Sequence, residues 1–533
     1  MKPAPSRFIL ASIVFFLVVA AVSPLAAQDG VSHARIVRLS FVEGNVALLR
    51  PASVDWAAAA VNTPVEEGFQ LSTDKNSFAE VEFENGSTAR VGELSLVKFD
   101  QLALSEEGDE LNHLTLDHGY GTFHVSPQKL GSFEVRSGDA RFTPEGKAEF
   151  RVDLDQGRMR IEVFKGLVEA VSSEGSTTVA KDGVLEIAPD TEEAFNLSSG
   201  VQRDDWDSWV AERDEQQSAA GAAPPGGLSP GAPEYGWSDL NQYGTWSYFD
   251  GYGYGWVPDA WGAWSPFTAG QWSYYPGMGY TWLSYEPWGW LPYHYGGWMY
   301  DAMFGWSWFP GLDWGFSPGL VNWYEGPGWI GWAPQSPQLP GRKPGSPGSG
   351  GGLLPKPPRG CPGGCMSAIS IATFQRGGPI QPRQLMKVDA SQGVPVREPS
   401  IQPSLLAGLP GSPAKLSSAQ RQMIGGSVGA GPALDHLAKA SPESGQWSHH
   451  APATTLASPP AFARSSTAAN SGVGYAGSSR SFAPSGASSG ASNHGGSGGF
   501  SAGSHGGGGS IGGSGGGGGG SHGGGGGGGG GHH

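Results

Sequence analysis

From Arg35 to Ile187 the chain alternates apolar and polar residues in short runs broken by Gly, Asn, Asp or Ser. Alternation of period two sends successive side chains to opposite faces of a strand, so the stretch reads as strand, turn, strand. Phe78-Ala79-Glu80-Val81-Glu82-Phe83 is one such run; Glu84-Asn85-Gly86-Ser87 is a turn and Thr88-Ala89-Arg90-Val91 the returning strand. Asn85-Gly86 is a strong hairpin signal because both residues tolerate positive φ. Further strands are expected at 94–99, 111–116, 121–125, 133–136, 148–154, 158–164 and 167–171. Helical periodicity is nearly absent, and the spacing specifies an antiparallel β sandwich or a short solenoid over residues 33–200.

The period changes after residue 200. Residues 201–217 predict one short helix, with Asp204 or Asp205 as N-cap and Trp206, Trp209 and Val210 on one face, expected to pack on the β domain. A Pro/Gly/Ala linker (218–233) leads to a 26-residue repeat within 234–337. Trp246, Trp272 and Trp298 share one column, Trp256, Trp282 and Trp308 a second, and Tyr248, Tyr274 and Tyr300 a third. Gly253, Gly279 and Gly305 precede a further aromatic column, Pro266, Pro292 and Pro318 close the units, and a truncated fourth unit ends in Gly331-Trp332-Ala333-Pro334. Gly-x-Trp-x-Tyr, a short turn and Tyr-x-Trp describe a hairpin with its rings on one face. A single hairpin is too small to fold alone, and stacking the repeats would bury a continuous aromatic layer. Aliphatic residues are scarce here, so the rings must supply most of the core. Tyr275, Tyr285, Trp288, Tyr293 and Tyr295 fall outside the regular columns and are the candidates for an outward, ligand-binding set that stacks on sugar faces.

Of the 533 residues, 89 are glycine and 42 proline, concentrated in the C-terminal half, so the folded part is much shorter than the chain. Residues 338–533 are Pro, Gly, Ser and Ala rich and are expected to be a long disordered tail, with helical hints only at 417–423 and 433–440. The formal charge of −16 argues against nucleic acid or anionic lipid as the main partner. Met1-Lys2, Arg7, an apolar run over 8–22 and Ser23-Pro24-Leu25-Ala26-Ala27 form a secretory signal pattern (1–27), with an uncleaved membrane anchor as the alternative. The chain is therefore expected to be exported, to the periplasm or the cell surface. Its two cysteines, Cys361 and Cys365, lie close together in a Pro/Gly loop and suit a local disulfide better than a metal site.

Leu39-Ser40-Phe41-Val42-Glu43-Gly44-Asn45-Val46, Glu67-Gly68-Phe69-Gln70-Leu71-Ser72-Thr73 and Val81-Glu82-Phe83-Glu84-Asn85-Gly86-Ser87 resemble the motif series of the FecR-like domain. Leu116-Asp117-His118-Gly119-Tyr120-Gly121, Phe133-Glu134-Val135-Arg136-Ser137 and Val163-Phe164-Lys165-Gly166-Leu167-Val168 continue it in the same order. Glu145-Gly146-Lys147-Ala148-Glu149-Phe150 departs from the Gly-Thr-x-Phe strand entry common in such domains. In signalling members the domain stands outside the membrane behind a cytoplasmic part that controls a sigma factor. Only a few residues precede the apolar run here, so that role is not carried over. The aromatic repeats look like an uncharacterised Trp/Tyr/Gly module found behind FecR-like domains in bacterial envelope proteins.

Catalytic patterns fail on context. Gly486-Ala487-Ser488-Ser489-Gly490 and Gly495-Gly496-Ser497-Gly498-Gly499 match a nucleophile-elbow string but lie in the tail. Gly251-x-Gly253-x-Gly255 has tyrosines in its gaps and no βα unit around it. Asp153 and Asp155 beside Arg151 read as a solvated strand face. The expectation is a protein that is not an enzyme and needs no cofactor or metal. It binds or scaffolds, with a polysaccharide or another envelope protein as partner; a signalling accessory whose FecR-like domain binds an envelope protein is the alternative.

Overall fold

The computed structural model describes residues 35–337 except 52, 127–131, 189–193, 221–224, 226, 228–231, 234, 261–263, 276–277 and 312–313. It further describes 366–401 except 389–391, 413–427, and His449. The N-terminal signal pattern, Cys361, Cys365 and the glycine runs lie outside these residues.

Seventeen strands form the β domain in two layers that share one strand. The first layer runs Gly175–Ala180, Leu167–Ser172, Ala140–Pro144, Ser132–Ser137, the first half of Glu110–Val125, Leu96–Leu104, Gln70–Thr73, Val46–Leu49 and Ala57–Ala58. The second runs Pro64–Val65, Val37–Glu43, Phe78–Glu82, Thr88–Val91, the second half of Glu110–Val125, Ala148–Asp155, Arg158–Lys165, Gly183–Ile187 and Phe195–Ser199. The two expected strands at 111–116 and 121–125 are thus one strand that crosses between layers. It bends at Gly119, whose φ is +80° and where a Cβ would lie 2.1 Å from the Ser95 hydroxyl oxygen, so only glycine fits. Phe99, Leu114, Phe123, Phe150, Val152 and Ile161 are among the side chains that fill the space between the layers.

Helix α1 (Asp205–Ala220) lies on the outer face of the second layer. Asp204 accepts from the Asp207 backbone N–H at 3.1 Å and Asp207 accepts from that of Asp204 at 3.0 Å, a reciprocal cap that fixes where the helix starts. Trp206 and Trp209 stack at 5.0 Å and pack with Phe78 and Tyr120 on the sheet.

Helix α2 (Trp237–Tyr243) opens the aromatic module, which contains four hairpins: Gly244–Phe249 with Gly253–Pro258, Gly270–Tyr275 with Gly279–Ser284, Gly297–Asp301 with Gly305–Phe309, and Val321–Gly326 with Trp329–Pro334. The first two tryptophan columns face each other across the strands, as Trp246 with Trp256, Trp272 with Trp282 and Trp298 with Trp308. Trp323 pairs with Trp332 in the fourth unit. Its turn is one residue shorter, so Trp323 and Trp332 stand nine residues apart where the other pairs stand ten apart.

The hairpins do not stack in sequence order. The first joins the third through Trp256 and Trp308, while Trp272 of the second meets Trp323 of the fourth at 4.3 Å. All converge on a hub that includes helix α3 (Trp290–His294).

Within the region read as tail, residues 366–401 and 413–427 carry defined elements. Ser367–Ser370 and Val394–Val396 extend the fourth hairpin to four strands, and helix α4 (Ile371–Arg376), capped by Ser370, sets Phe374 against Tyr280 and Trp323. Helix α5 (Ser418–Ser427) lies against the β domain, where its Gln420 is fully buried. Helix α5 falls on the helical hint at 417–423, and that at 433–440 lies outside the described residues; the other pieces carry no sequence signal, because each is held by a neighbouring module and needs no core of its own.

Candidate functional site

The register of the second layer aligns ionisable residues in rows on its outer face. One row reads Glu82, Thr88, His124, Glu149, Lys165 and the next Glu80, Arg90, Thr122, Arg151, Glu162. Most are buried, because α1 covers them. Glu80 is reached by Arg90 at 2.8 Å and by Arg213 of α1 at 3.0 Å. Burial pushes its carboxyl up, but the Arg213 and Arg90 guanidiniums overcome that and hold it well below the usual carboxylate range. Arg151 pairs with Asp153 at 3.0 Å, Glu162 at 3.1 Å and Asp207 of α1 at 2.9 Å. Arg151 and Asp153 are therefore not on a solvated strand face: helix α1 and His449, 2.7 Å from Asp153, cover them. Asp155 is exposed. Burial lifts Glu162 to about 7 in spite of Arg151 and Arg160.

A cavity of about 230 Å³ opens at the C-terminal end of α1, lined in part by Thr88, His124, Asp214, Tyr235 and Trp237. His124 and Asp214 of its lining, together with the neighbouring Glu149, each bring one donor atom to within 4.8 Å of the others. No single sequence motif signalled this group; strand register and a helix supply it jointly.

The five rings expected outward are placed otherwise. Tyr275, Trp288, Tyr293 and Tyr295 are buried and Tyr285 is half-buried. Tyr275 leaves the second hairpin for the core of the β domain, with the Arg50 guanidinium 4.3 Å from its ring. Trp288 and Tyr293 stack at 5.7 Å in the hub. The Tyr295 and Tyr235 hydroxyls share a 2.8 Å hydrogen bond, and that of Tyr285 donates to Gln271 at 2.7 Å. The physical reason for the other four is that Tyr275 ends a strand and is drawn into the β-domain core, whereas the connection between the second and third hairpins folds inward, Trp288, Tyr293 and Tyr295 filling the hub. Next to them Glu286 is buried, accepts from Trp264 at 2.6 Å and from Tyr293, and is pushed by burial to about 7.

Of the regular columns, Trp256, Trp272, Trp282, Trp298 and Trp308 are buried, and Trp246, Tyr274 and Tyr300 are half-buried. Tyr248 is 64% exposed and lies edge-on to Tyr254, itself 41% exposed, at 5.4 Å. Tyr252, Phe304 and Met303 are exposed at the tips of the first and third hairpins, which meet through Phe249 and Phe304 at 4.9 Å. Tyr248 and Tyr254 thus lie on one face of the first hairpin, while Tyr252 and Phe304 pack toward Phe249 and Phe309 on the other, with Gly251 in the turn between the strands.

The two modules are joined by buried polar contacts. The Arg38 guanidinium meets Asp239 of α2, Asn62 donates to the Glu286 carbonyl at 2.8 Å, and Leu283 enters the β-domain core with Tyr275.

Residues 69–169 match the FecR protein family and residues 237–339 a family of unknown function, DUF6600. No curated protein matches the chain. Two solved structures of a protein provisionally described as an anti-sigma factor, from Parabacteroides distasonis ATCC 8503, are similar to parts of it. One, at 13% identity and TM-score 0.22, covers 28% of this chain and 72% of its own. The other, at 16% identity and TM-score 0.22, covers 31% and 79%. Likeness at that level carries neither fold nor function across. The family matches, with the strand pattern and repeat columns above, identify a FecR-like protein that carries a C-terminal module of unknown function.

Proposed function

We propose that this is a non-enzymatic envelope protein, related to signalling through its FecR domain, that works as a rigid binding body. Its aromatic module holds polysaccharide at the tip of the first hairpin, on the Tyr248 and Tyr254 rings with Tyr252 in the turn between them. The observation that carries this reading is the outward placement of Tyr248 and Tyr254 in a module whose tryptophans are otherwise mostly turned inward. A pair of large exposed rings in contact, as Tyr248 and Tyr254 are, is the informative exception in such a module, and ring faces suit the apolar faces of sugars. The charge of −16 supports a neutral or cationic polymer over an anionic one. The test is retention of the exported chain on immobilised polysaccharides, compared with Y248A/Y252A/Y254A. Retention lost in a variant with unchanged circular dichroism supports the reading. A folded wild type that no glycan retains removes it.

A second reading, a FecR domain that binds another envelope protein, is favoured by one observation. The domain already receives a peptide from its own chain, with the Ala414 N–H donating to the Trp56 carbonyl at 2.8 Å and Pro413 bridged to Ala57.

A further inference from the structure

We infer that His124, Glu149 and Asp214 form a binding site for a divalent transition-metal ion of the zinc type, one that pins helix α1 to the β domain. One imidazole and two carboxylates are a donor set that zinc accepts, with a fourth position left for water. The three come from separate elements: His124 from the strand shared by both layers, Glu149 from the strand paired with it at that position, and Asp214 from α1. His124 Nδ1 stands 3.7 Å from Asp214 Oδ2. That is too long for a hydrogen bond, and close to the roughly 3.4 Å that separates two tetrahedral ligands bound at about 2.0–2.2 Å.

A second observation points to the same place. Thr88 pairs with His124 on the opposite side from Glu149 and lines the cavity. It is only 4% exposed, and its hydroxyl has no hydrogen-bond partner. A buried hydroxyl without a partner is unfavourable, and water held on an ion beside His124 would supply one. The cavity of about 230 Å³ admits both ion and water.

The charges around the site are compatible with a cation. Asp214 Oδ1 is engaged by Arg90 at 2.7 Å, and it is the other oxygen that faces the imidazole. Arg90 is balanced by buried Glu80. Glu149 is held by Lys165 at 2.6 Å, but that side chain is 62% exposed, so its ammonium can swing into water when an ion takes the carboxylate. Lys165 is then a competitor of the metal, a role a structural salt bridge would not have.

The experiment is calorimetric titration of Zn²⁺ into the full chain after chelator treatment, with hydrogen exchange across α1 measured before and after. Histidines in the tail add background, so the readout is the difference from H124A/D214N. Wild type is expected to take up one more equivalent than the variant and to show slower exchange in α1 with Zn²⁺. K165A, which keeps all three ligands, is expected to bind that equivalent about tenfold more tightly. Equal uptake by wild type and variant, or α1 exchange indifferent to Zn²⁺, overturns the inference. If H124A/D214N fails to fold, unchanged Zn²⁺ affinity in K165A overturns it equally.

Discussion

The Arg38 guanidinium meets the Asp239 carboxylate at 2.8 Å, joining the first strands of the β domain to the first helix of the aromatic module across 201 residues of sequence. Arg38 also holds Glu82 at 2.6 Å and is almost fully buried, so it serves both modules from one position. Arg38→Ala leaves Glu82 buried without its partner and is expected to destabilise the protein by about 3–5 kcal/mol. Urea unfolding followed by circular dichroism measures this. Asp239→Asn, which keeps Arg38 on Glu82, is expected to be milder.

The aromatic columns divide into core and surface, and alanine scanning separates them. Trp282→Ala empties a site at the hub and is expected to lower stability by about 3–5 kcal/mol. Tyr248→Ala, on the exposed face of the first hairpin, is expected to change it by no more than about 0.5 kcal/mol. Thermal unfolding of both variants checks the pair.

Glu286 makes the aromatic module sensitive to pH. Burial raises its carboxyl from an ordinary value of 4.5 to about 7 in the folded protein. Its neutral form is thus favoured by folding: no penalty applies below about 4.5, and a penalty grows as pH rises to about 7. Buried His294, lowered to about 4, acts in the opposite sense, losing stability as pH falls below its ordinary value of 6.5. The comparison of Glu286→Gln with wild type isolates the carboxyl. The glutamine variant is expected to gain on wild type by about 3 kcal/mol between pH 4.5 and 7.5. Parallel stability curves would contradict this.

Gln420 ties α5 to the β domain through the Asn45 and Ser72 carbonyls and the Asn45 side chain. Gln420→Ala is expected to release that segment, raising hydrogen exchange at 45–49 and 70–73 at least tenfold. Exchange in the second layer should stay unchanged.

How much of this was legible in the sequence follows from the range of each signal. Strand alternation, the Asn85-Gly86 turn and the tryptophan columns, which pair across each hairpin, are local signals; the sequence narrows the helix cap to Asp204 or Asp205, and the structure assigns it to Asp204. Which hairpin meets which is not a local signal, because the contact of Trp256 with Trp308 depends on the hub and not on spacing. Trp288, Tyr293 and Tyr295 are buried for the same reason: irregular position in a repeat marks a connection, and this connection faces inward, while Tyr275, at a strand end, is buried only because the β domain docks on it. Arg151 and Asp153 look like a polar strand face in isolation, and only the docked α1 makes that face an interior. His124, Glu149 and Asp214 are brought together by register and helix docking combined, neither of which a motif records.

The buried contacts of Arg38, Asn62, Tyr275 and Leu283 join the FecR domain and the aromatic module into one body. Native-state hydrogen exchange of the full chain in rising urea tests it most directly, following the β-domain core at Phe123 and Phe150 and the hub at Trp256 and Trp282. The account predicts that both sets lose protection in a single transition with the same midpoint, and that Arg38→Ala lowers the two midpoints together. Separate transitions, with the hub opening while the β domain stays protected, would contradict it.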